Sequence, residues 1–263
     1  MKIIAFANNK GGVLKTSLTV NYASVLAKKG YKVLIIDTDS QSNVLASFNN
    51  IVLDPSNYSI YDLVFKNKKI DDAIINVFEN IDVIPSSQEW QDFDTEATKR
   101  FIYEKNFKSI KNILEDIKKT KKYDYVLIDT EPKKSANTFS VLLATEEIII
   151  PFTLESFGIQ ALTEMYKYVN KAKEANKNLK IKALVATKTF ARSKMEKIIK
   201  EQSSKFPEPG LCNISIPHST TGASSVTLKK LPVYLTTKNK LTKAYEELVN
   251  LLEFGVLEEN NER

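Results

Sequence analysis

Cysteine is almost missing from this chain: Cys212 is the only one in 263 residues. That excludes an intrachain disulfide and any CxxC metal or redox site. Arginine is scarce too, with Arg100, Arg192 and Arg263 the only three, so the basic character rests on lysine. No run of about 18 apolar residues occurs, which argues against a transmembrane helix. The start, MKIIAFANNKGG, turns polar too early for a secretory leader. No linker, repeat or low-complexity stretch divides the sequence, so one domain over residues 1–257 is expected, with a frayed tail at 258–263. Together these absences point to a reduced, cytoplasmic protein.

What is present is ordinary in bulk and informative in order. The chain is 43% apolar and 27% charged, with a net charge of +6 that hints at a polyanionic partner. Seven apolar runs read as strands, at residues 2–7, 32–37, 81–85, 123–129, 147–152, 181–187 and 213–217. Most are apolar throughout rather than alternating, as a sheet covered on both faces requires. Amphipathic segments lie between them. In residues 15–30, Leu18, Tyr22, Val25 and Leu26 share one face and Gly30 suits the helix end. This alternation predicts an α/β fold with a doubly wound, mostly parallel sheet flanked by helices.

The segment NNKGGVLKTS, residues 8–17, sits between the first strand and that helix. It resembles a phosphate-binding loop in context, yet Asn9 and Leu14 stand where G-x-x-x-x-G-K-[ST] requires glycine. In such a loop the backbone N–H groups face phosphate, Lys15 reaches the β- and γ-phosphates, and the Thr16 hydroxyl binds Mg²⁺. Carboxylates end two further apolar strands: Asp37 and Asp39 in VLIIDTDSQSN, and Asp129 in YDYVLIDTEP. Single acidic residues at strand ends are common helix caps. Three of them beside a Lys-Thr loop point to a nucleotide and its metal ion.

On these residues the sequence resembles the ParA/MinD family of deviant Walker A ATPases, and within it the short, Soj-like DNA partition proteins. The family loop K-G-G-x-x-K-[ST] is matched by Lys10, Gly11, Gly12, Lys15 and Thr16. DTDSQSN is similar to D-x-D-P-Q-x-N, and YDYVLIDTEP to Y-D-x-x-x-I-D-x-P-P. PFTLESFGIQAL follows as a relative of P-x-x-x-E-x-x-[AS]-x-x-G-L, and IPHSTTGA falls where the family has I-P-R-N. The match weakens beyond residue 165. The resemblance implies a P-loop NTPase fold that binds ATP and Mg²⁺ and hydrolyses ATP slowly. Nucleotide contacts would come from Lys10, Gly11, Gly12, Val13, Leu14, Lys15, Thr16, Ser17, Pro217 and His218. Lys10 would act on the partner's phosphates across a homodimer, Lys15 on its own, and Asp39 would orient the attacking water. Thr16, Asp37 and Asp129 would form the metal shell. Five departures stand out: Leu14 for glycine, Ser40 for proline, Glu131-Pro-Lys133-Lys134 for the usual Pro-Pro-Ser segment, His218 for arginine, and no recognisable E-A-x-x-x-G segment after it.

Related branches fit less well. A lone Cys212 excludes the iron–sulfur carriers of the family, which need paired cysteines. The C-terminal segment YEELVNLLEFGVLEENNER is acidic, unlike the basic membrane helix of MinD proteins. With the loop starting near residue 8, a site-specific operator-binding domain ahead of it is not expected. The resemblance implies instead a nucleoid-associated ATP dimer that holds DNA non-specifically and is released with help from a ParB-like partner. Candidate DNA contacts are Lys188, Arg192, Lys194, Lys197 and Lys200, and Lys229, Lys230, Lys238, Lys240 and Lys243. A DNA-binding module that keeps ATP as a structural ligand, and a MinD-like positioning ATPase, are the alternatives. Trp90 is expected to pack under a loop, with a dimer contact left open by the resemblance, and Cys212 to be an unreactive core or strand residue.

Overall fold

The computed structural model describes residues 1–48, 58–103, 109–190, 201, 205, 206, 208–220 and 230–256, the side chains of 100–103 excepted. The expected tail at 258–263 lies outside these residues. The strands are β1 (Lys2–Phe6), β2 (Val33–Thr38), β3 (Ile75–Phe78), β4 (Ile81–Ile84), β5 (Tyr125–Thr130), β6 (Glu147–Thr153), β7 (Lys180–Thr189) and β8 (Ile216–Pro217). They form one sheet in the order β3-β4-β2-β5-β1-β6-β7-β8. Every pairing is parallel except β3 with β4. All seven expected strands are present. The unexpected one is β3, which joins β4 through a tight turn at Glu79 and Asn80, the latter at φ 62°. An edge strand of mixed burial does not show as a continuous apolar run.

Helices cover both faces. They are α1 (Lys15–Lys28), α2 (Asn43–Ala46), α3 (Ile60–Phe65), α4 (Phe93–Tyr103), α5 (Ile110–Thr120), α6 (Ala136–Ala144), α7 (Ser156–Ala175), α8 (Val233–Thr236) and α9 (Lys240–Val249). Alternate residues of one strand feed opposite layers. Ile3 and Ala5 pack with Leu63 of α3, Ile113 of α5, Leu142 of α6 and Met165 of α7. Ile4 and Phe6 pack with Leu18 and Tyr22 of α1 and with Leu248 of α9. The strands β2 and β5 are therefore buried at every position, which is why they read as unbroken apolar runs.

The helix α1 lies between the sheet and α9 and is buried nearly all round. Leu18, Tyr22, Val25 and Leu26 form its apolar stripe as expected. The remaining face is polar but internally satisfied: Thr19, Asn21 and Ser24 each donate to the carbonyl four residues earlier, at 3.0, 2.7 and 2.6 Å. The helix ends at Lys29, and Gly30 follows at φ 90°, the left-handed turn that glycine adopts without a steric penalty.

Trp90 is buried against Phe93 and Phe65, at ring distances of 4.8 and 6.3 Å, in the packing role expected of it. Cys212 is half-buried beside the α1-side core, and burial raises its thiol above the usual range, which favours the protonated form. Among the described residues no helix is long and apolar enough to cross a membrane. The apolar face of α9, with Leu241, Tyr245, Leu248 and Val249, is buried in the α1-side layer.

Candidate functional site

Strand β1 delivers residues 7–14 to the carboxyl edge of the sheet, where α1 begins. Buried Asn8 fixes the start of the turn: its amide donates to the Pro151 carbonyl at 2.7 Å and its Oδ1 accepts from the Lys10 N–H at 3.0 Å. The backbone is left-handed twice, at Gly12 (φ 72°) and at Leu14 (φ 65°, ψ 30°). Left-handed backbone costs a leucine roughly 1–2 kcal/mol that glycine would not face. Leu14 keeps that conformation because its side chain packs on the α1-side core and its carbonyl opens the helix, accepting from Leu18 N at 2.8 Å. The leucine thus preserves the turn that a glycine would make.

Lys15 follows, 7% exposed, with its ammonium 3.4 Å from the Lys10 carbonyl. Burial lowers its pKa, against the opposing pull of Asp129, Asp39 and Glu131. The Thr16 hydroxyl donates to Asp129 Oδ2 at 2.6 Å. Asp129 and Asp37 are Cα partners on the adjacent strands β5 and β2, and both are fully buried. Asp37 accepts from the N–H groups of Asp39 (2.9 Å) and Val44 (3.1 Å). Burial, reinforced by Asp129, still pushes the Asp37 carboxyl well above the ordinary carboxylate range. Burial pushes Asp129 up to about 7, although Thr16 and Lys15 pull it down.

Two adjoining buried carboxyls that favour protonation are short of positive charge. A divalent cation fits that deficit, and the donor set is oxygen throughout, the chemistry Mg²⁺ takes. The Thr16 oxygen can keep its hydrogen bond to Asp129 while a lone pair faces a cation. No group of three or more His, Cys, Asp or Glu side chains is disposed to hold a metal among the described residues. Phosphate oxygens and water would have to complete the shell, as Mg²⁺ commonly requires.

The segment after β5 departs from the family pattern, yet its side chains are tied in. Glu131 accepts from Ser135 Oγ at 2.6 Å and Asn137 Nδ2 at 3.1 Å, and Asn137 also donates to the Thr38 carbonyl at 3.0 Å. Lys134 pairs with Glu164 at 2.8 Å, and Glu164 accepts from Asn9 of the loop at 3.0 Å. The strand ends carrying Asp37 and Asp129 are thereby joined to α6, and the loop to α7. Lys10 is bound within its own chain, to Glu155 at 2.8 Å, with Thr153 Oγ1 at 3.5 Å. Asp39 is half-buried beside this cluster, its Oδ1 accepting from Gln41 N at 3.1 Å.

A cavity of about 530 Å³ opens beside the loop, lined by Leu14, Thr16, Ser17, Lys188, Pro217 and His218 among others. The His218 ring stacks on exposed Phe190 at 4.8 Å, and its backbone N–H donates to the Thr189 carbonyl at 2.9 Å. The structure thus gathers the loop, Asp37, Asp39, Asp129, Pro217 and His218 at one edge of the sheet. Of the lysines expected on DNA, Lys188 lines this cavity, while Lys238, Lys240 and Lys243 lie exposed around the start of α9. Lys230 is half-buried, with φ 55°. Arg192, Lys194, Lys197, Lys200 and Lys229 lie outside the described residues. Asn8, Thr153 and Glu164, which brace the loop, carry no motif that would have marked them.

A family model described as an AAA domain matches residues 1–181. A ParA family protein of Mycoplasma pneumoniae is 31% identical over 277 aligned residues, 96% of this chain and 99% of the other. The chain belongs to the ParA family. The sporulation initiation inhibitor protein Soj of Bacillus subtilis is 29% identical, across 83% of this chain and 85% of its own. Among solved structures, a plasmid partition protein of Borrelia burgdorferi bound to AMPPNP superposes with a TM-score of 0.77. It is 26% identical and is covered over 99% of its length, against 97% of this chain. The eight-stranded, mostly parallel sheet flanked by helices is thus that of the ParA/MinD-type P-loop ATPases.

Proposed function

We propose that this ParA-family ATPase is a Mg-ATP-dependent DNA partition switch. Two copies enclose two ATP molecules, the ATP dimer holds DNA without sequence preference, and slow hydrolysis stimulated by a ParB-like partner releases it. The observation that carries the reading is the loop with its carboxylates: Lys15 and Thr16 beside Asp37 and Asp129, buried and short of a cation. Thr16, Asp37 and Asp129 would hold Mg²⁺, which neutralises charge on the phosphates when bound. Lys15 would bind phosphate in cis and Asp39 would orient water. Lys10, once freed from Glu155, would reach the partner's phosphates. Pro217 and His218 would receive the adenine in the adjoining cavity.

Likeness to a Borrelia protein described as a putative plasmid partition protein supports the DNA reading, as do exposed Lys238, Lys240 and Lys243. Leu14 retains left-handed backbone in the loop, which keeps the shape that phosphate binding needs. The packed apolar face of α9 and the acidic segment after it disfavour a MinD-like membrane role. The test is binding to random-sequence DNA with ADP and with ATP, for wild type and Lys10→Ala, at two salt concentrations. ATP-dependent, salt-sensitive binding that Lys10→Ala abolishes is expected. Binding indifferent to nucleotide and to Lys10 would overturn the switch.

A further inference from the structure

Lys188 is among the lysines expected on DNA, and the fold sets it beside the phosphate-binding loop. It is half-buried near the carboxyl end of β7, where the pairing with β8 slips register between Thr187 and Thr189. Its backbone is left-handed, at φ 55°, inside a strand. A non-glycine residue holds that conformation only where its surroundings impose it, and such positions cluster at ligand clamps. The neighbouring Thr187 supplies the restraint: its hydroxyl lies 3.2 Å from the Val13 carbonyl of the loop and 3.0 Å from the Phe152 carbonyl. The end of β7 is thus tied to the phosphate-binding turn itself.

That turn throws the Lys188 side chain over the loop. A Cβ on Gly12 would lie 3.8 Å from the Lys188 ammonium. The same side chain lines the cavity shared by Leu14, Thr16, Ser17, Pro217 and His218. Glu155, an acid that feels its charge, is engaged by Lys10 at 2.8 Å. No carboxylate pairs with Lys188 among the described residues. Three ammonium groups, on Lys10, Lys15 and Lys188, therefore surround a loop whose glycine-rich backbone can present N–H groups to an anion. Lys188, with no acid paired to it, and Lys15 beside the same turn suit a ligand of several negative charges. The phosphate chain of a nucleoside triphosphate supplies them, whereas one DNA phosphate supplies only one.

We propose that Lys188 is a phosphate ligand of the nucleotide site, acting in cis from the end of β7 rather than on the DNA-binding surface. The proposal rests on the nucleotide reading above and adds a contact to it. ATP, ADP and adenosine are titrated calorimetrically into full-length wild type, Lys188→Met, Lys188→Gln and Lys188→Arg, with Mg²⁺ present. Loss of the ammonium is expected to weaken ATP about tenfold, ~1.4 kcal/mol. Arginine is expected to restore most of the affinity, and the neutral variants are expected to weaken ATP more than ADP and adenosine least. That graded loss separates lost phosphate contact from a damaged fold, which would weaken all three alike, and the glutamine variant serves if the methionine variant does not fold. A wild type that binds no ATP would sink the nucleotide reading itself. A wild type that binds ATP while Lys188→Met and Lys188→Gln bind it equally well would overturn only the role of Lys188. So would neutral variants that keep ATP affinity but lose DNA binding.

Discussion

Buried carboxylates occur at both ends of the sheet, and they are treated in opposite ways. At the amino edge, the Glu253 side chain has no exposed surface, yet it is fully partnered. It accepts from the Tyr22 hydroxyl and pairs with Lys2 at 2.9 Å and Lys182 at 3.3 Å. Burial alone would raise its pKa, but these partners more than offset that and hold the carboxyl below the ordinary range. At the carboxyl edge, Asp37 and Asp129 are equally buried but face one another, and both are pushed up. Lys15, the one ammonium that counts against Asp129, is itself lowered by burial. The first acid fastens the C-terminal helical segment to β1 and β7. The second pair is left deficient in positive charge, which suits a site that waits for a cation.

The largest way to break this contrast is Asp37→Asn or Asp129→Asn. Each is expected to lower ATP turnover at least about a hundredfold, since Mg²⁺ and its phosphates lose a ligand. The same change removes a buried charge, so the metal- and nucleotide-free protein should melt roughly 2–6 °C higher at pH 8. Activity by phosphate release and melting by calorimetry check the two halves. Glu253→Gln should do the reverse, leaving turnover nearly intact while costing about 3 kcal/mol of stability, because two lysines lose a buried partner. Denaturant unfolding at pH 7 measures it.

The pH profiles should also run in opposite directions. Asp129 is raised in the folded state, to about 7, so its contribution favours folding below the ordinary carboxylate pKa and is lost as pH rises through 7. Metal-free protein should therefore lose stability as pH rises from the ordinary carboxylate range through about 7. Glu253 is lowered, so its contribution is present above its ordinary pKa and lost as pH falls through that range. In Glu253→Gln the acid limb of the unfolding curve should flatten. Smallest is the effect of Leu14→Gly, where relief of left-handed strain and loss of packing should cancel to within about 1 kcal/mol. Leu14→Val should destabilise more, since a β-branched residue tolerates that backbone least.

Much of the carboxyl edge was legible in the sequence because its parts are tied to strand ends. Asp37 and Asp129 each terminate an apolar run, and Lys15-Thr16 opens a helix, so pattern and position agreed. Leu14 looked like a defect because sequence shows the residue but not the φ that its packing on the core sustains. The place of Lys188 beside the loop was hidden for a similar reason. Its neighbours in sequence are basic, and only the left-handed turn after Thr187 sends it to the loop. The amino-edge cluster was not legible at all: Lys2, Tyr22, Lys182 and Glu253 are spread over the whole chain and share no motif. The strand β3 escaped because a four-residue edge carries too little apolar pattern to register.

The most direct measurement is calorimetric titration of ATP into wild type and Asp37→Asn, each with Mg²⁺ and each with EDTA. If the buried pair awaits a cation, wild type should bind ATP far more tightly with Mg²⁺, and Asp37→Asn should lose that dependence. Equal binding by wild type in Mg²⁺ and in EDTA would contradict it, and the carboxyl edge would then be a second structural acid pair like the first.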